Sequence, residues 1–195
     1  MSDVSITDHF DISDNELMLK LLGRVEVEHA AALHYFIKKG KVQKLIHAFK
    51  YKNKPQVATL MGKTFAIKYL ESPHFDTADV IIPIPSHFAR LQQRGYNQSY
   101  LIAKGVNDVS SIPIGQKVLI KNKRIVSQTS KKRDERFINV LNSFKIKNPE
   151  KLEDKLVLIV DDVFTTGATI EAAITKLQTI KGIRIQVGFI AMATD

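Results

Sequence analysis

The segment 156–169 constrains this chain more than any other part of the sequence. Its first five residues, Leu156–Val160, are all apolar, which favours a strand buried on both faces, as in a parallel sheet. Two adjacent carboxylates, Asp161 and Asp162, follow at once. A short turn of small and hydroxyl residues then leads into a predicted helix over 168–180. Because ligands of open α/β sheets bind at the carboxyl ends of the strands, we expect a binding site here.

The turn after the two acids has the composition of an anion-binding loop. Small residues let backbone N–H groups approach an anion, a helix N-terminus carries partial positive charge, and threonine hydroxyls add donors. A ligand with a phosphomonoester near two vicinal hydroxyls would fit, with its phosphate on the turn and its diol on the carboxylates. Ribose 5-phosphate meets this description. The carboxylates could also hold Mg²⁺, directly or through water.

Other interpretations of this segment stay open. The turn has no lysine after its glycine and no G-x-G-x-x-G pattern, which disfavours a Walker-type loop and a dinucleotide site. A purely structural alternative is that Asp161 and Asp162 cap the turn and that Gly167 only forms it. Against this alternative stands the desolvation cost of two adjacent acids after so apolar a strand.

Strand and helix patterns alternate along the rest of the chain. They predict one or two strands over 25–37, strands over 79–85, 117–120 and 183–191, and helices over 41–50, 55–71 and 96–107. This alternation is typical of an α/β fold with right-handed crossovers. We expect one domain over 23–195, preceded by an acidic, partly disordered N-terminal arm over 1–22.

Positive charge is concentrated in two zones. The chain has a formal net charge of +9, yet residues 38–54 carry seven lysines and no acid, and residues 117–136 carry eight bases and two acids. Such zones suit a polyanion such as a phosphate, a pyrophosphate or a nucleic acid. The alternative is that these side chains only solvate the surface, which the amphipathic pattern of 41–50 favours for the first zone. The second half of the 117–136 zone lacks apolar periodicity and is predicted to be a mobile basic loop.

Several classes of protein are excluded or disfavoured by composition. The chain has no cysteine, which excludes disulfides, thiolate catalysis and cysteine-built zinc sites. No apolar run approaches the roughly 18–20 residues of a membrane span. The acidic residues 1–16 lack the features of a signal peptide. We therefore expect a cytoplasmic protein that does not associate with membranes.

The run VLIVDDVFTTGAT (157–169) resembles the phosphoribosyl pyrophosphate (PRPP) binding motif of type I phosphoribosyltransferases. The stretches 41–63, 79–104 and 127–144 resemble one branch of that superfamily, the ComF (competence protein F) family, so the resemblance covers most of 23–195. It implies the type I phosphoribosyltransferase-like fold, a parallel sheet flanked by helices with a flexible basic lid. It also implies Mg²⁺-dependent transfer of a phosphoribosyl group from PRPP with release of pyrophosphate, of the amidophosphoribosyltransferase or ComF type. The acceptor is not named by the sequence.

The resemblance also implies roles for individual residues. Asp161 and Asp162 would be the catalytic carboxylates, facing the ribose and taking part in Mg²⁺ binding. The 5-phosphate would lie on a loop made of Val163, Thr165, Thr166, Gly167, Ala168 and Thr169. The pyrophosphate loop would include Pro85, Ser86, His87, Arg90 and Arg94, although the two arginines could instead be surface residues. The lid would span 124–140 and contain Gln128, Lys132, Arg133, Arg136 and Asn139.

One departure from the family pattern concerns metal. ComF-type proteins usually begin with a four-cysteine zinc module, and this chain has no cysteine. The histidines at 9, 29, 34, 47, 74 and 87 are not spaced to replace it, and only His87 is a candidate site residue. The absence of cysteine also argues against glutamine-dependent chemistry within this chain, because no cysteine nucleophile exists.

A non-catalytic role is the alternative function. The resemblance implies an accessory protein of natural transformation that binds PRPP or single-stranded DNA beside a competence helicase. The first basic zone, with Phe49 and Tyr51, motivates this hypothesis, because stacking and positive charge together suit single strands. A homodimer is also common in this fold.

Overall fold

The computed structural model describes residues 5–121 and 143–194 of the chain. The strands are β1 (His29–Phe36), β2 (Val80–Pro83), β3 (Leu119–Lys121), β4 (Phe144–Ile146), β5 (Leu156–Phe164) and β6 (Arg184–Ala193). Four of them form a parallel sheet in the order β1-β6-β5-β2, and the two short strands β3 and β4 form a separate antiparallel ladder. The helices are α1 (Glu16–Leu21), α2 (Lys41–Tyr51), α3 (Pro55–Glu71), α4 (Phe88–Arg94), α5 (Gln98–Ser110) and α6 (Ala168–Leu177), with a 3₁₀ turn at Pro149–Leu152. The predicted α/β fold is confirmed.

Strand β5 is central and explains the apolar run of the sequence. It pairs with β6 on one side and with β2 on the other, and both pairings are parallel. Leu156–Val160 are buried, as expected for a strand covered on both faces. The strand continues to Phe164, four residues past the predicted end, so that Asp161 and Asp162 lie within its last part.

Two apolar layers cover the two faces of the sheet. One contains buried residues of α2, α3 and α5, and the other contains residues of α1, α6, β3 and β4. The N-terminal segment, expected to be an arm over 1–22, contributes to both layers, since Phe10 lies in the first and Leu17 and Leu21 lie in the second. Within the described residues, no helix has the length and apolar composition needed to cross a membrane.

Helices α3 and α5 approach each other closely through two glycines. A Cβ atom on Gly62 would lie 2.2 Å from the carbonyl oxygen of Ile102, and one on Gly105 would lie 2.1 Å from that of Thr59. Both distances are far below van der Waals contact, so only glycine fits at these positions. This close contact fixes α5, whose N-terminus faces the carboxyl ends of β2 and β5.

The chain between β2 and α5 differs from its prediction. The expected strand over 79–85 is shorter, Val80–Pro83. The N–H of Ile84 still donates to the carbonyl oxygen of Val160, and Pro85, which has no N–H, then follows. The expected helix over 96–107 begins at Gln98 and ends at Ser110. A separate helix, α4, precedes it and ends at Gly95, whose φ of 78° is the left-handed conformation that terminates a helix. Helix α1, strand β4 and the 3₁₀ turn were not predicted.

Candidate functional site

The two acids lie side by side at the carboxyl end of β5. The Asp161 carboxylate accepts hydrogen bonds from the Ser99 hydroxyl at 2.7 Å and from the backbone N–H of Asp162 at 2.8 Å. Asp162 accepts from the ammonium of Lys50, whose Nζ lies 2.8 Å from Oδ1. Three elements thus meet here, since Ser99 is in the first turn of α5 and Lys50 is in the last turn of α2.

The environment of Asp161 disfavours its charged form. Burial and the neighbouring carboxylate of Asp162 raise the pKa of Asp161 from 3.8 to about 6. The hydrogen bonds from Ser99 and the Asp162 N–H, together with the positive charge of Lys50, oppose this rise. Asp161 is therefore a carboxylate at neutral pH that a hydroxyl donor or a cation would stabilise further.

The loop after β5 presents backbone donors next to the acid pair. Gly167 has a φ of 80° and precedes α6, where no described side chain caps the N-terminus. The first N–H groups of α6 are therefore available to an anion. A cavity of about 50 Å³ is lined by Asp161, Val163 and all of the predicted loop residues, Thr165, Thr166, Gly167, Ala168 and Thr169.

Arg24, which is far from this loop in the sequence, holds the loop in place through hydrogen bonds. Its Nη2 donates to the carbonyl oxygen of Thr166 at 3.0 Å and to the carboxylate of Glu171 at 2.6 Å. A Cβ on Gly167 would lie 3.0 Å from Nη1 of Arg24 and 3.0 Å from ring atoms of Phe164, so the loop is tightly enclosed on this side. The sequence analysis missed Arg24, and no local pattern marks it.

A second cavity, of about 90 Å³, lies on the other side of the acid pair. Asp161 and Thr169 line both cavities. The predicted pyrophosphate-loop residues all line the second one, namely Pro85, Ser86, His87, Arg90 and Arg94. Lys50 and Lys121 also line it, so four cationic side chains surround this cavity. The carboxylates of Asp161 and Asp162 line it as well.

The residues of the predicted pyrophosphate loop have further contacts. His87 is the N-cap residue of α4, and its Nδ1 accepts a hydrogen bond from the N–H of Ala89 at 3.3 Å. The guanidinium of Arg94 lies 5.0 Å from the ring centre of Tyr51. The Nε atom of Arg94 is buried and has no hydrogen-bond partner among the described residues.

Hydrogen bonds join this loop to α5. The Oδ1 atom of Asn97 accepts from the Ser86 hydroxyl at 2.8 Å and from the N–H of Ser99, and its Nδ2 donates to Ile84. Gln98 is buried beside them, and its Nε2 has no partner within the described part of the chain. These contacts hold the loop after β2 and the donor of Asp161 as one unit.

Lys121 brings positive charge from the end of β3. Burial lowers the pKa of Lys121, and the negative charge of Asp161 opposes this effect. Its Nζ lies 5.5 Å from the ring centre of Phe144 in β4. The predicted lid residues Gln128, Lys132, Arg133, Arg136 and Asn139 lie outside the described residues.

The structure corrects one expectation and adds residues that the sequence analysis missed. Phe49 was expected to be available for stacking, but it is fully buried in the core, whereas Tyr51 is 60% exposed. The helix over 41–50 is amphipathic as predicted, with Val42, Ile46 and Phe49 buried, and its Lys50 reaches the acid pair. Ser99, Asn97 and Arg24 were not singled out.

The residues present suit Mg²⁺ only as a complex with a phosphorylated ligand. The described residues contain no group of three or more acidic, histidine or cysteine side chains placed to hold a metal ion. Two carboxylates are present, and Lys50 occupies one of them. Mg²⁺ is commonly bound through one or two carboxylates and substrate phosphates, which agrees with this donor set.

Two curated competence proteins are similar to this chain in sequence. Competence protein F of Haemophilus influenzae is 27% identical over 153 residues, which cover 76% of this chain and 67% of that protein. ComFC of Bacillus subtilis is 27% identical over 135 residues, covering 68% of this chain and 51% of that protein. The chain therefore matches about two thirds of one curated relative and about half of the other.

Solved structures with a similar chain path include two enzymes. The glutamine PRPP amidotransferase from B. subtilis matches with a TM-score of 0.46 and 20% identity, over 72% of this chain and 30% of that one. The purine phosphoribosyltransferase from Pyrococcus horikoshii matches with a TM-score of 0.39 and 18% identity, over 74% and 76% of the two chains.

A family model decides the assignment. The model described as "Phosphoribosyl transferase domain" matches residues 92–193, which include α5, β5, the 165–169 loop and β6. This match covers more than half of the chain, and the two competence proteins confirm the resemblance to ComF. The chain therefore belongs to the phosphoribosyl transferase domain family, and it is similar to the ComF competence proteins.

Proposed function

We propose that this protein binds PRPP as its Mg²⁺ complex and transfers the phosphoribosyl group to an acceptor, with release of pyrophosphate. The observation that carries this proposal is the position of the acid pair. Asp161 and Asp162 lie between a loop of available N–H donors and a cavity lined by four cations. PRPP has the same order of groups, with a phosphate at one end, a diol in the middle and a pyrophosphate at the other end.

Each end of the ligand would find complementary chemistry. The 5-phosphate would accept hydrogen bonds from the N–H groups of the 165–169 loop and from its threonine hydroxyls. The ribose hydroxyls would donate to Asp161 and Asp162. The pyrophosphate would lie among Arg90, Arg94 and Lys121, because guanidinium and ammonium groups bind phosphate oxygens through charge-assisted hydrogen bonds.

This arrangement would also favour the transition state. When the bond between C1 and the pyrophosphate oxygen breaks, positive charge develops on the sugar and negative charge on the leaving group. The carboxylates of the acid pair would face the sugar, and Arg90 and Arg94 would face the leaving group, so both charges would be stabilised. Mg²⁺, when bound, would supply further neutralisation of the pyrophosphate. The acceptor nitrogen would not come from glutamine through a cysteine of this chain, since it has none.

Calorimetric titration with Mg·PRPP tests the proposal. We expect Asp161→Asn combined with Asp162→Asn to weaken binding by about tenfold or more, because the diol loses two charged acceptors. Asp79→Asn is the matched control. Asp79 lies just before β2 and accepts a hydrogen bond from Leu156, at the other end of the sheet. Equal affinity of the double variant and the wild type would refute the assignment of the site.

The second candidate function is binding of single-stranded DNA as a non-catalytic accessory protein. The observation that favours it is Tyr51, which is 60% exposed and lies beside Lys50 and Arg94. An exposed ring with a guanidinium 5.0 Å from its centre suits a nucleobase and its phosphates. We expect oligonucleotide affinity to fall steeply with salt and to decrease in Tyr51→Ala. No binding at about 50 mM salt would remove this candidate.

A further inference from the structure

Lys50 is the residue whose position the proposed function does not yet explain. Its ammonium forms an ion pair with Asp162, and both side chains are largely shielded, with exposed fractions of 19% and 14%. In this position Lys50 occupies a carboxylate oxygen that a ribose hydroxyl would need. A bound diol must therefore displace this ion pair or share Asp162 with it.

The cavities around Lys50 offer its ammonium a second position, away from Asp162. Lys50 lines the same cavity as Ser86, Arg90 and Arg94, where the leaving group would lie. It also lines an adjoining cavity of about 390 Å³, together with Tyr51, Asn53, Gln93, Arg94, Gly95 and Tyr96. A lysine has a flexible four-carbon stem, so its charge can move several ångströms without movement of the helix. Helix α2 itself is anchored, because Phe49 is fully buried and its carbonyl oxygen accepts from the Tyr96 hydroxyl.

We propose that Lys50 exchanges partners on substrate binding: it neutralises Asp162 in the free protein and moves to the pyrophosphate group when the ribose hydroxyls take its place. This inference rests on the proposed function and adds a pyrophosphate-binding residue from α2 to it. The exchange gives each charged group a hydrogen-bond partner in both states. Without ligand, the adjacent carboxylates repel each other, and Lys50 relieves this repulsion. With ligand, the hydroxyls hydrogen-bond the carboxylates, and the released ammonium meets the excess negative charge of the pyrophosphate.

The exchange predicts different effects on the binding of the two halves of the substrate. Removing the charge of Lys50 should weaken the binding of Mg·pyrophosphate, since one charge-assisted contact is lost. The same change should leave the binding of ribose 5-phosphate equal or tighter, since the diol no longer competes with an ion pair. A lysine that only supports the fold of the site would weaken both ligands together.

The experiment measures the binding of Mg·PRPP, Mg·pyrophosphate and ribose 5-phosphate by calorimetry at pH 8. It compares the wild type with Lys50→Met and with Lys44→Met, an exposed position on the same helix, as the matched control. We expect Lys50→Met to lose about tenfold in affinity for Mg·pyrophosphate and to keep or improve its affinity for ribose 5-phosphate. Lys44→Met should match the wild type for all three ligands. Where thermal unfolding shows that Lys50→Met does not fold, Lys50→Gln is measured by the same criteria.

Failure of this inference and failure of the proposed function are distinguishable. A wild type that binds none of the three ligands refutes the proposed function, and the inference with it. The exchange alone is refuted by a second pattern, in which the wild type binds Mg·PRPP but Lys50→Met does not act as predicted. In that pattern the variant either keeps its affinity for Mg·pyrophosphate or loses affinity for both Mg·pyrophosphate and ribose 5-phosphate. A wild type that binds Mg·PRPP but not Mg·pyrophosphate also refutes the exchange.

Discussion

The hydroxyl of Ser99 favours the ionised form of Asp161 against the larger effects of burial and Asp162, and removing it has a measurable consequence. Ser99 donates to the Asp161 carboxylate at 2.7 Å, and this bond lowers a pKa that burial and Asp162 raise to about 6. A hydrogen bond to a charged group contributes about 1.5–3 kcal/mol, and one pKa unit corresponds to about 1.4 kcal/mol. Ser99→Ala should therefore raise the pKa of Asp161 by about one unit or more.

The effect on binding has a defined dependence on pH. A diol needs the ionised form of Asp161 as an acceptor, so affinity falls as pH decreases through the pKa of that group. With pKa values of about 6 in the wild type and about 7 in Ser99→Ala, the two proteins should bind equally at about pH 8.5. Their dissociation constants should differ about fivefold at about pH 6 and approach tenfold below it.

Titrations with ribose 5-phosphate in a chelator, between about pH 5.5 and pH 8.5, test this prediction. The phosphate of the ligand titrates in the same range, and the ratio of the two dissociation constants at each pH cancels that contribution. Ser110→Ala is the control, because Ser110 is on the same helix and its hydroxyl bonds to the backbone oxygen of Val106. A ratio that is the same at every pH would refute the role of Ser99 in the ionisation of Asp161.

Three further predictions concern positions around the site and in the fold. Gly62→Ala should destabilise the protein by about 1–3 kcal/mol, because its Cβ would lie 2.2 Å from the Ile102 oxygen; an unchanged or higher melting temperature would contradict this. Arg24→Ala should weaken ribose 5-phosphate binding by about fivefold, because the 165–169 loop loses the hydrogen bond from Arg24 to Thr166. Arg184→Ala, which removes a more exposed arginine, should leave the affinity unchanged. Equal calorimetric affinities of the two variants would contradict this prediction. Burial lowers the pKa of His29 below its usual value of 6.5. Protonation of His29 therefore favours the unfolded state, so the free energy of unfolding should decrease as pH falls below about 6.5. Urea unfolding at about pH 7.5 and 5.5 should show this loss, and an equal loss in His29→Gln would refute its assignment to this residue.

The sequence by itself determined the central strand, the position of the two acids at its end and the donor loop that follows. These features are local. An apolar run, a glycine in a turn and a helix start are each encoded within a few neighbouring residues, and Leu156–Thr169 contains all of them. The alternation of strands and helices likewise determined the α/β class, since each period reports which face of an element is buried.

Only the tertiary structure decided which distant side chains complete the site. Lys50 and Asp162 are 112 residues apart, Ser99 and Asp161 are 62 apart, and Arg24 and Thr166 are 142 apart. Lys50 has the sequence context of any lysine on the polar side of an amphipathic helix, so its pattern is the same whether it contacts solvent or a carboxylate. What distinguishes the two cases is the strand order β1-β6-β5-β2 and the close contact of α3 with α5, which place the ends of α2 and α5 above β5. The chemistry at the end of β5 is therefore local in the sequence, while the groups that tune its charge are brought there by the fold.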